Sequence, residues 1–385
     1  MARSLLDQVS FIRLKALITE RFSKGDKDAF AALLHTVKVS QKASIGGIDF
    51  PVVNPNTGRP TPQNSENYRA VLDHHKMALR SNVFLNCQEI THDAGEHWRS
   101  IEPKDLRGFW KLCGNAGLPG NLGSCRDMMF AIADETEVDT ALDWINELPT
   151  WDGVPRLAAL LIDYLGALDT AFNRHVTVMT FVAQVMRLRE PGTKFDHIPI
   201  LQGIGDGAYN NGGGEGKSSL ILAFAPHRDM ASESVDLGAS QKEIMELTLG
   251  KMIIELPEMC GMSKADRAAL KRFFTQIRDE ARLAYDAVRS TRYRRYVMWR
   301  TSNNLELVPL GEGGERRYLP VQVALQPATK SWVNFHKERE QIYAEAVHLA
   351  DTGEVKLYLE GKMAEAQQEL IRRCVILSTS DIELT

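Results

Sequence analysis

No stretch of this chain approaches the roughly 20 consecutive apolar residues that a membrane-spanning helix requires, so no membrane partner is expected. Its five cysteines (Cys87, Cys113, Cys125, Cys260 and Cys374) show no Cys-x-x-Cys spacing. An odd, scattered set argues against a disulfide framework and reads as buried thiols in a reducing compartment. The opening residues, MARSLLDQVSFIRLKALITERF, lack a signal-peptide core, because Asp7, Arg13, Lys15 and Glu20 interrupt the apolar positions. A soluble, cytoplasmic chain is the expectation. Charge of one sign is also missing: the net value is −4 over 385 residues. A basic coat for nucleic acid is therefore excluded, and any basic surface must be local. There is no internal repeat, no low-complexity tract and no Ser/His/Asp arrangement. The run HDAGEH (His92–His97) is outwardly like a zinc hydrolase motif. Its histidines are five residues apart with Gly95 between, so they do not share one helix face, and a polar turn is expected.

The residues that are present divide the chain into four segments. Residues 1–65 comprise a helix-periodic stretch (Leu5, Leu6, Val9, Ile12, Leu14, Leu17, Ile18) and a Pro/Gly/Asn-rich linker, SIGGIDFPVVNPNTGRPTPQNSE. Residues 66–190 read as mostly helical, with a short hairpin strand near 83–90. Asp105, Asp134, Asp139 and Asp169 stand near helix starts, and Trp151 is expected in a core. Between 191 and 326, short apolar runs (HIPILQ, KMIIEL, YVMWRT, RYLPVQV) alternate with helical stretches. That alternation predicts a mainly parallel sheet between helices, an α/β class. Residues 327–385 are helical again.

Within the third segment, four motifs follow one another in about a hundred residues. Gly212, Gly213, Gly214 and Gly216 provide a turn whose backbone N–H groups can surround phosphates, with Glu215 among them. Lys217 supplies a charge for β/γ-phosphates, Ser218 a hydroxyl for Mg²⁺, and Ser219 continues the segment. A strand, IPILQG, precedes the loop and a helix, SSLILAFA, follows it, with its positive N-terminus towards the phosphates. Strict GxxxxGK[ST] spacing places the first glycine at 211, where Asn211 stands, and IGDGAYNN lengthens the loop. Asn tolerates left-handed backbone angles, so the turn remains feasible. ATP with Mg²⁺ is the expected ligand.

KMIIELPE ends an apolar strand with Glu255 and Glu258, three residues apart. One acid on the metal side and one to orient the attacking water is the requirement of ATP hydrolysis. Glu255 suits the metal; Glu258 is the candidate base, although Pro257 leaves its direction open and a solvated strand end is the alternative. RYVMWRTSNN ends another strand at Asn303 and Asn304, where Asn303 could sense the γ-phosphate. Thirteen residues beyond these lie Arg316 and Arg317, after the flexible GEGG. An arginine so presented could cross a subunit boundary to a neighbour's ATP, and the sequence does not choose between the two.

These motifs resemble the virulence-associated E family of phage and genomic-island proteins, related to superfamily 3 helicases within the AAA+ group. WDGVPRL (Trp151–Leu157), REPGTKFDHIPILQG (Arg189–Gly203), LKRFFTQIRDEARLAYDAV (Leu270–Val288) and LGEGGERRYLPV (Leu310–Val321) carry the resemblance over about residues 80–360. It implies a P-loop ATPase core and an ATP-driven DNA motor of a mobile element, a ring-forming helicase, most readily a hexamer. It also implies a hairpin touching single-stranded DNA between the acidic and Asn-bearing strands. The corresponding segment, 264–300, carries eleven Lys/Arg against four Asp/Glu with aromatics interleaved. Lys271, Arg272, Arg282, Arg292 and Arg294 are its candidate DNA contacts, while Arg282 and Arg295 could instead serve a neighbour's nucleotide. Two other readings stay open: an ATP-dependent DNA-binding switch or replication initiator, and an assembly protein, neither unwinding processively.

Overall fold

The computed structural model describes residues 43–54, 57–93, 95–203, 216–233, 235, 239–256, 272–281, 290–302 and 315–380. They form two compact units, residues 1–83 with 87–138, and residues 84–86 with 139–385.

In the first unit, β1 (Ala43–Ile45) and β2 (Ile48–Phe50) pair antiparallel around Gly46 and Gly47, whose φ values are +60° and +83°. Two consecutive positive φ angles match the twist of a two-residue hairpin, so part of the expected linker is ordered structure. The buried Asn67 side chain holds the following loop: its amide donates to Val52 O at 2.6 Å and Thr61 O at 2.9 Å. That residue lies in α1 (Ser65–His74). Next come β3 (Ala78–Asn82) and β4 (Cys87–Thr91), an antiparallel pair, so the single strand expected near 83–90 is the turn and second arm of a hairpin. Then β5 (Arg99–Ser100), α2 (Pro103–Asn115), α3 (Leu122–Ala133) and β6 (Glu137–Val138) complete a sheet of order β5-β4-β3-β6 covered by helices. Phe50, Val71, Ile90, Phe109 and Met129 fill its core.

The second unit starts with α4 (Thr140–Asn146), α5 (Leu160–Leu165) and α6 (Ala171–Arg189). Of the four aspartates expected at helix starts, Asp139 is the N-cap of α4, donor-satisfied by Leu142 N. Asp105 instead sits at the third position of α2, reaching back to the Glu102 N–H. Asp169 precedes the true cap, Thr170, and Asp134 ends α3. Thirteen of the nineteen residues of α6 are buried, which makes it a helix enclosed on all sides rather than a surface one.

Around α6 the chain adds β7 (Ile198–Gly203), α7 (Lys217–Ala223), β8 (Ala231–Ser232), α8 (Gln241–Thr248) and β9 (Ile253–Leu256). A hairpin, β10 (Arg278–Ala281) with β11 (Ser290–Tyr293), precedes β12 (Val297–Ser302) and β13 (Tyr318–Val323). The last helices are α9 (Arg339–Thr352) and α10 (Gly361–Ser380). The five-stranded sheet has the order β13-β7-β12-β9-β8, and all its pairings are parallel. Strand β7, between β13 and β12, is buried along its whole length, as a parallel strand covered on both faces must be. On one face Leu201, Trp299, Leu319 and Val321 pack against Phe181, Phe224 and Tyr343 from the helices. On the other, Ile198, Ile200, Ile254 and Met298 meet Val235, Ile244, Phe274 and Tyr296. The architecture is thus α/β, as the alternation of strands and helices predicts.

Candidate functional site

Strand β7 is followed by β8 and β9 on one side of it, and β13 returns to the other side. The direction of strand succession therefore reverses at β7. In open α/β sheets, such a switch point leaves a crevice at the carboxyl ends of the strands where ligands bind. Gly216, Lys217 and Ser218 lie there, at the start of α7. Gly216 has φ +111°, a backbone angle that a side chain would oppose. Lys217 is buried, and Ser218 and Ser219 are half-buried. Gly212, Gly213, Gly214 and Glu215 lie outside the described residues.

Three elements converge on one carboxylate. Glu255, at the third position of β9, is only 6% exposed. Ser218 Oγ donates to its Oε1 at 2.6 Å, and Thr301 Oγ1 of β12 donates to the same oxygen at 2.7 Å. The other oxygen, Oε2, is buried with no hydrogen-bond partner among the described residues. A buried carboxylate oxygen without a donor costs about 1–3 kcal/mol, more for a charged group. Hydroxyl and carboxylate oxygens are the hard donors that Mg²⁺ selects. The residues present fit that ion, which Ser218 and Glu255 would hold, with Oε2 as the open ligand atom. Thr301 was not among the sequence candidates. Its signal was there: it stands two residues after Trp299 on the sheet face that carries Glu255, a hydroxyl at the tip of a buried strand.

The remaining sequence candidates separate. Glu258, Asn303, Lys271 and Arg282 lie outside the described residues. Arg316 is exposed, while Arg317 is buried, 3.5 Å from Asp196, with its Nε and Nη1 lacking hydrogen-bond partners among the described residues. Beside them, burial pushes the His197 imidazole below its usual range. Both arginines directly precede β13, and Tyr318 pairs with Ile198 at the opening of β7. Strand β7 ends at Gly203, five residues on. At about 3.3 Å per residue, Tyr318, just after the arginines, is roughly 16 Å from that end of the sheet.

Arg272 and Arg292 are exposed, and Arg292 hydrogen-bonds Asn86. Arg294 requires a correction as a DNA contact. It is 1% exposed, and its guanidinium donates to Asp279 (2.6 and 3.0 Å), Gln276 (3.0 Å) and the Phe273 carbonyl. It also lies 4.1 Å from the Phe273 ring centroid. The residue anchors the base of the β10–β11 hairpin, buried and paired with Asp279, out of reach of a phosphate. Arg295 is likewise engaged, bidentate to Asp139 at 2.6 and 3.0 Å. Sequence reasoning passed over Arg187, which is buried and donates to the carbonyls of Thr193, Phe195 and Tyr296. Burial pushes it down to about 10, so it stays charged near neutrality.

Two motifs are structural. In WDGVPRL, Asp152 accepts from Val154 N and pairs with Arg156, while Glu345 of α9 accepts from the N–H groups of Arg156 and Leu157 at 2.7 and 2.8 Å. Trp151 is half-buried against His348 at 4.9 Å. HDAGEH is a turn around Asp93, which accepts from the backbone N–H of Glu96 and of His97, each at 3.0 Å. Asp93, Glu96 and His97 do place ligand-type atoms within 4.8 Å of one another, with Glu96 and His97 exposed.

Among the described residues, no helix is long and apolar enough to cross a membrane. The parallel sheet, its switch point and the helices on both faces define an α/β protein. The virulence-associated protein E-like domain model matches residues 145–375, well over half of the chain, and the chain belongs to that family. No curated protein matches it. Among solved structures it is similar to the A form apo structure of the NrS-1 C-terminal region, with 12% identity, 82% of this chain and 75% of that one covered, and a TM-score of 0.50. A second apo structure of that region, residues 305–718, gives 14% identity, coverage of 81% and 75%, and a TM-score of 0.48. At such identities the first likeness speaks to fold alone.

Proposed function

We propose that this chain is a P-loop ATPase that acts on DNA, working as a ring, with the superfamily 3-like helicase as the specific form. The observation that carries this reading is Glu255: a buried carboxylate, held by Ser218 and Thr301 at one oxygen and left open at the other. Such an arrangement suits a divalent ion held against a phosphate chain at the switch point of the sheet. Lys217 neutralises the phosphates next to it. Bound Mg²⁺ supplies charge neutralisation on the transferring phosphoryl group. Thr301 keeps Glu255 from rotating, so its free oxygen stays aimed at the ligand side.

Arg316 is the arginine that acts on a neighbour's nucleotide, because it is exposed and stands at the opposite end of the sheet from its own loop. That geometry favours a ring, in which one subunit completes the site of the next. Arg272 and Arg292 remain as exposed DNA contacts around the hairpin. Family membership supports the assignment.

ATP hydrolysis by the wild type and Lys217→Ala, each with and without single-stranded DNA, tests the reading. DNA-stimulated turnover that falls about 100-fold or more in Lys217→Ala is expected. A wild type that hydrolyses no ATP in either condition would overturn it.

A further inference from the structure

Beside the glycine that opens α7 lies an aromatic residue from more than a hundred positions further along the chain. A Cβ built on Gly216 would lie 3.2 Å from Trp332 Cδ1 and 3.5 Å from its Nε1, with no other atom of that ring within 4 Å. Only the pyrrole edge of the indole therefore meets the glycine, and the six-membered ring extends past it. Trp332 is 38% exposed, which is unusual for so large an apolar side chain held in a fixed place.

Its place is set by contacts at the C-terminal end of α7. Trp332 opens a 3-10 turn, Trp332–Lys337, whose Phe335 is fully buried against Phe224 and Tyr164, with ring centroids 5.4 and 5.5 Å apart. Just past the turn, Arg339 donates to the carbonyls of Ala225 at 2.9 Å and Ala223 at 3.4 Å, where α7 ends. Turn and helix thus move as one piece, and the indole stays beside Gly216 without any ligand to hold it there.

We propose that Trp332 is the platform on which the base of a bound purine nucleoside triphosphate stacks. The inference rests on the nucleotide-binding reading above and deepens it by naming the ligand class. Phosphates at Lys217 and Ser218 leave the nucleoside to extend outward over the neighbouring surface, where the part-exposed Trp332 stands beside Gly216. A π-face accepts any base, and purines, with the larger ring area, gain most. ATP and GTP therefore bind comparably, and CTP more weakly.

The test is a binding titration of the full chain with Mg²⁺–ATP and, separately, Mg²⁺–tripolyphosphate, which has the phosphates and no base. Trp332→Ala is expected to weaken ATP about 5- to 50-fold while changing tripolyphosphate by less than about twofold. Trp332→Phe is expected to keep most of the ATP affinity. Unchanged ATP affinity in Trp332→Ala would overturn the platform. So would an equal loss for both ligands, which would make the tryptophan a support for the Gly216 turn. Lys217→Ala separates this from the underlying reading. It is expected to weaken both ligands, and if it binds both as the wild type does, the phosphate-loop assignment itself falls and the platform with it.

Discussion

Two buried charged clusters stand at opposite ends of the same strand. Before β12 begins, Arg294 and Asp279 form a pair with side chains 0% and 6% exposed, and Gln276, the Phe273 carbonyl and the Tyr296 hydroxyl bond to one or other of them. Where β12 ends, Glu255 receives two hydroxyls on one oxygen and nothing described on the other. Removing charge from water is costly in both places. The first cluster offsets that cost with a full set of hydrogen bonds and fastens the hairpin to the sheet. The second leaves part of it standing, as the proposed ion site would require. Satisfaction, rather than burial or charge, distinguishes the fastening from the site.

The comparison can be broken most forcefully at a third cation. Arg316→Ala is expected to lower turnover about 1,000-fold while nucleotide affinity is retained. Mixing it with Lys217→Ala protomers should restore part of the activity, because each supplies what the other lacks. Failure of the mixture to gain any turnover would remove the trans assignment. Next in size, Asp279→Ala strands Arg294 in the interior and should cost about 3–5 kcal/mol in urea unfolding. The apolar double replacement, Asp279→Leu with Arg294→Met, should recover most of that loss; if it does not, the pair is more than a fastening. Smaller again, Glu255→Gln should reduce turnover about 100-fold yet leave the urea midpoint unchanged or higher, because a buried charge disappears. A clear drop in the midpoint would make Glu255 a structural residue like Asp279.

Local pattern made some of this legible. The strand IPILQG, the helix after Lys217 and the carboxylate closing KMIIEL all follow from apolar runs and what bounds them, and the structure has β7, α7 and β9 there. The pattern could not tell Arg292 from Arg294. They are two residues apart in one basic run, and only the fold of the hairpin turns one outward and the other onto Asp279. Thr301 was hidden for a similar reason: its partner Glu255 is 46 positions away in the chain and becomes adjacent through a parallel register. Glu345, which caps residues 188 and 189 positions away, leaves no local trace at all. Composition misled in one place, where Pro and Gly suggested a linker and the two glycines instead shape the β1–β2 turn.

The interior position of β7, between two strands that come later in the chain, has a consequence for the birth of the protein. Its two neighbours, β12 and β13, begin at residues 297 and 318, about a hundred residues after β7 has left the ribosome. At about 5–20 residues per second, a largely apolar strand waits roughly 5–20 s with both edges unpaired. During that interval it is the segment most exposed to mispairing with another nascent chain. Slower synthesis over 204–317 should therefore raise the aggregated fraction, and a chaperone that covers residues 198–203 should lower it.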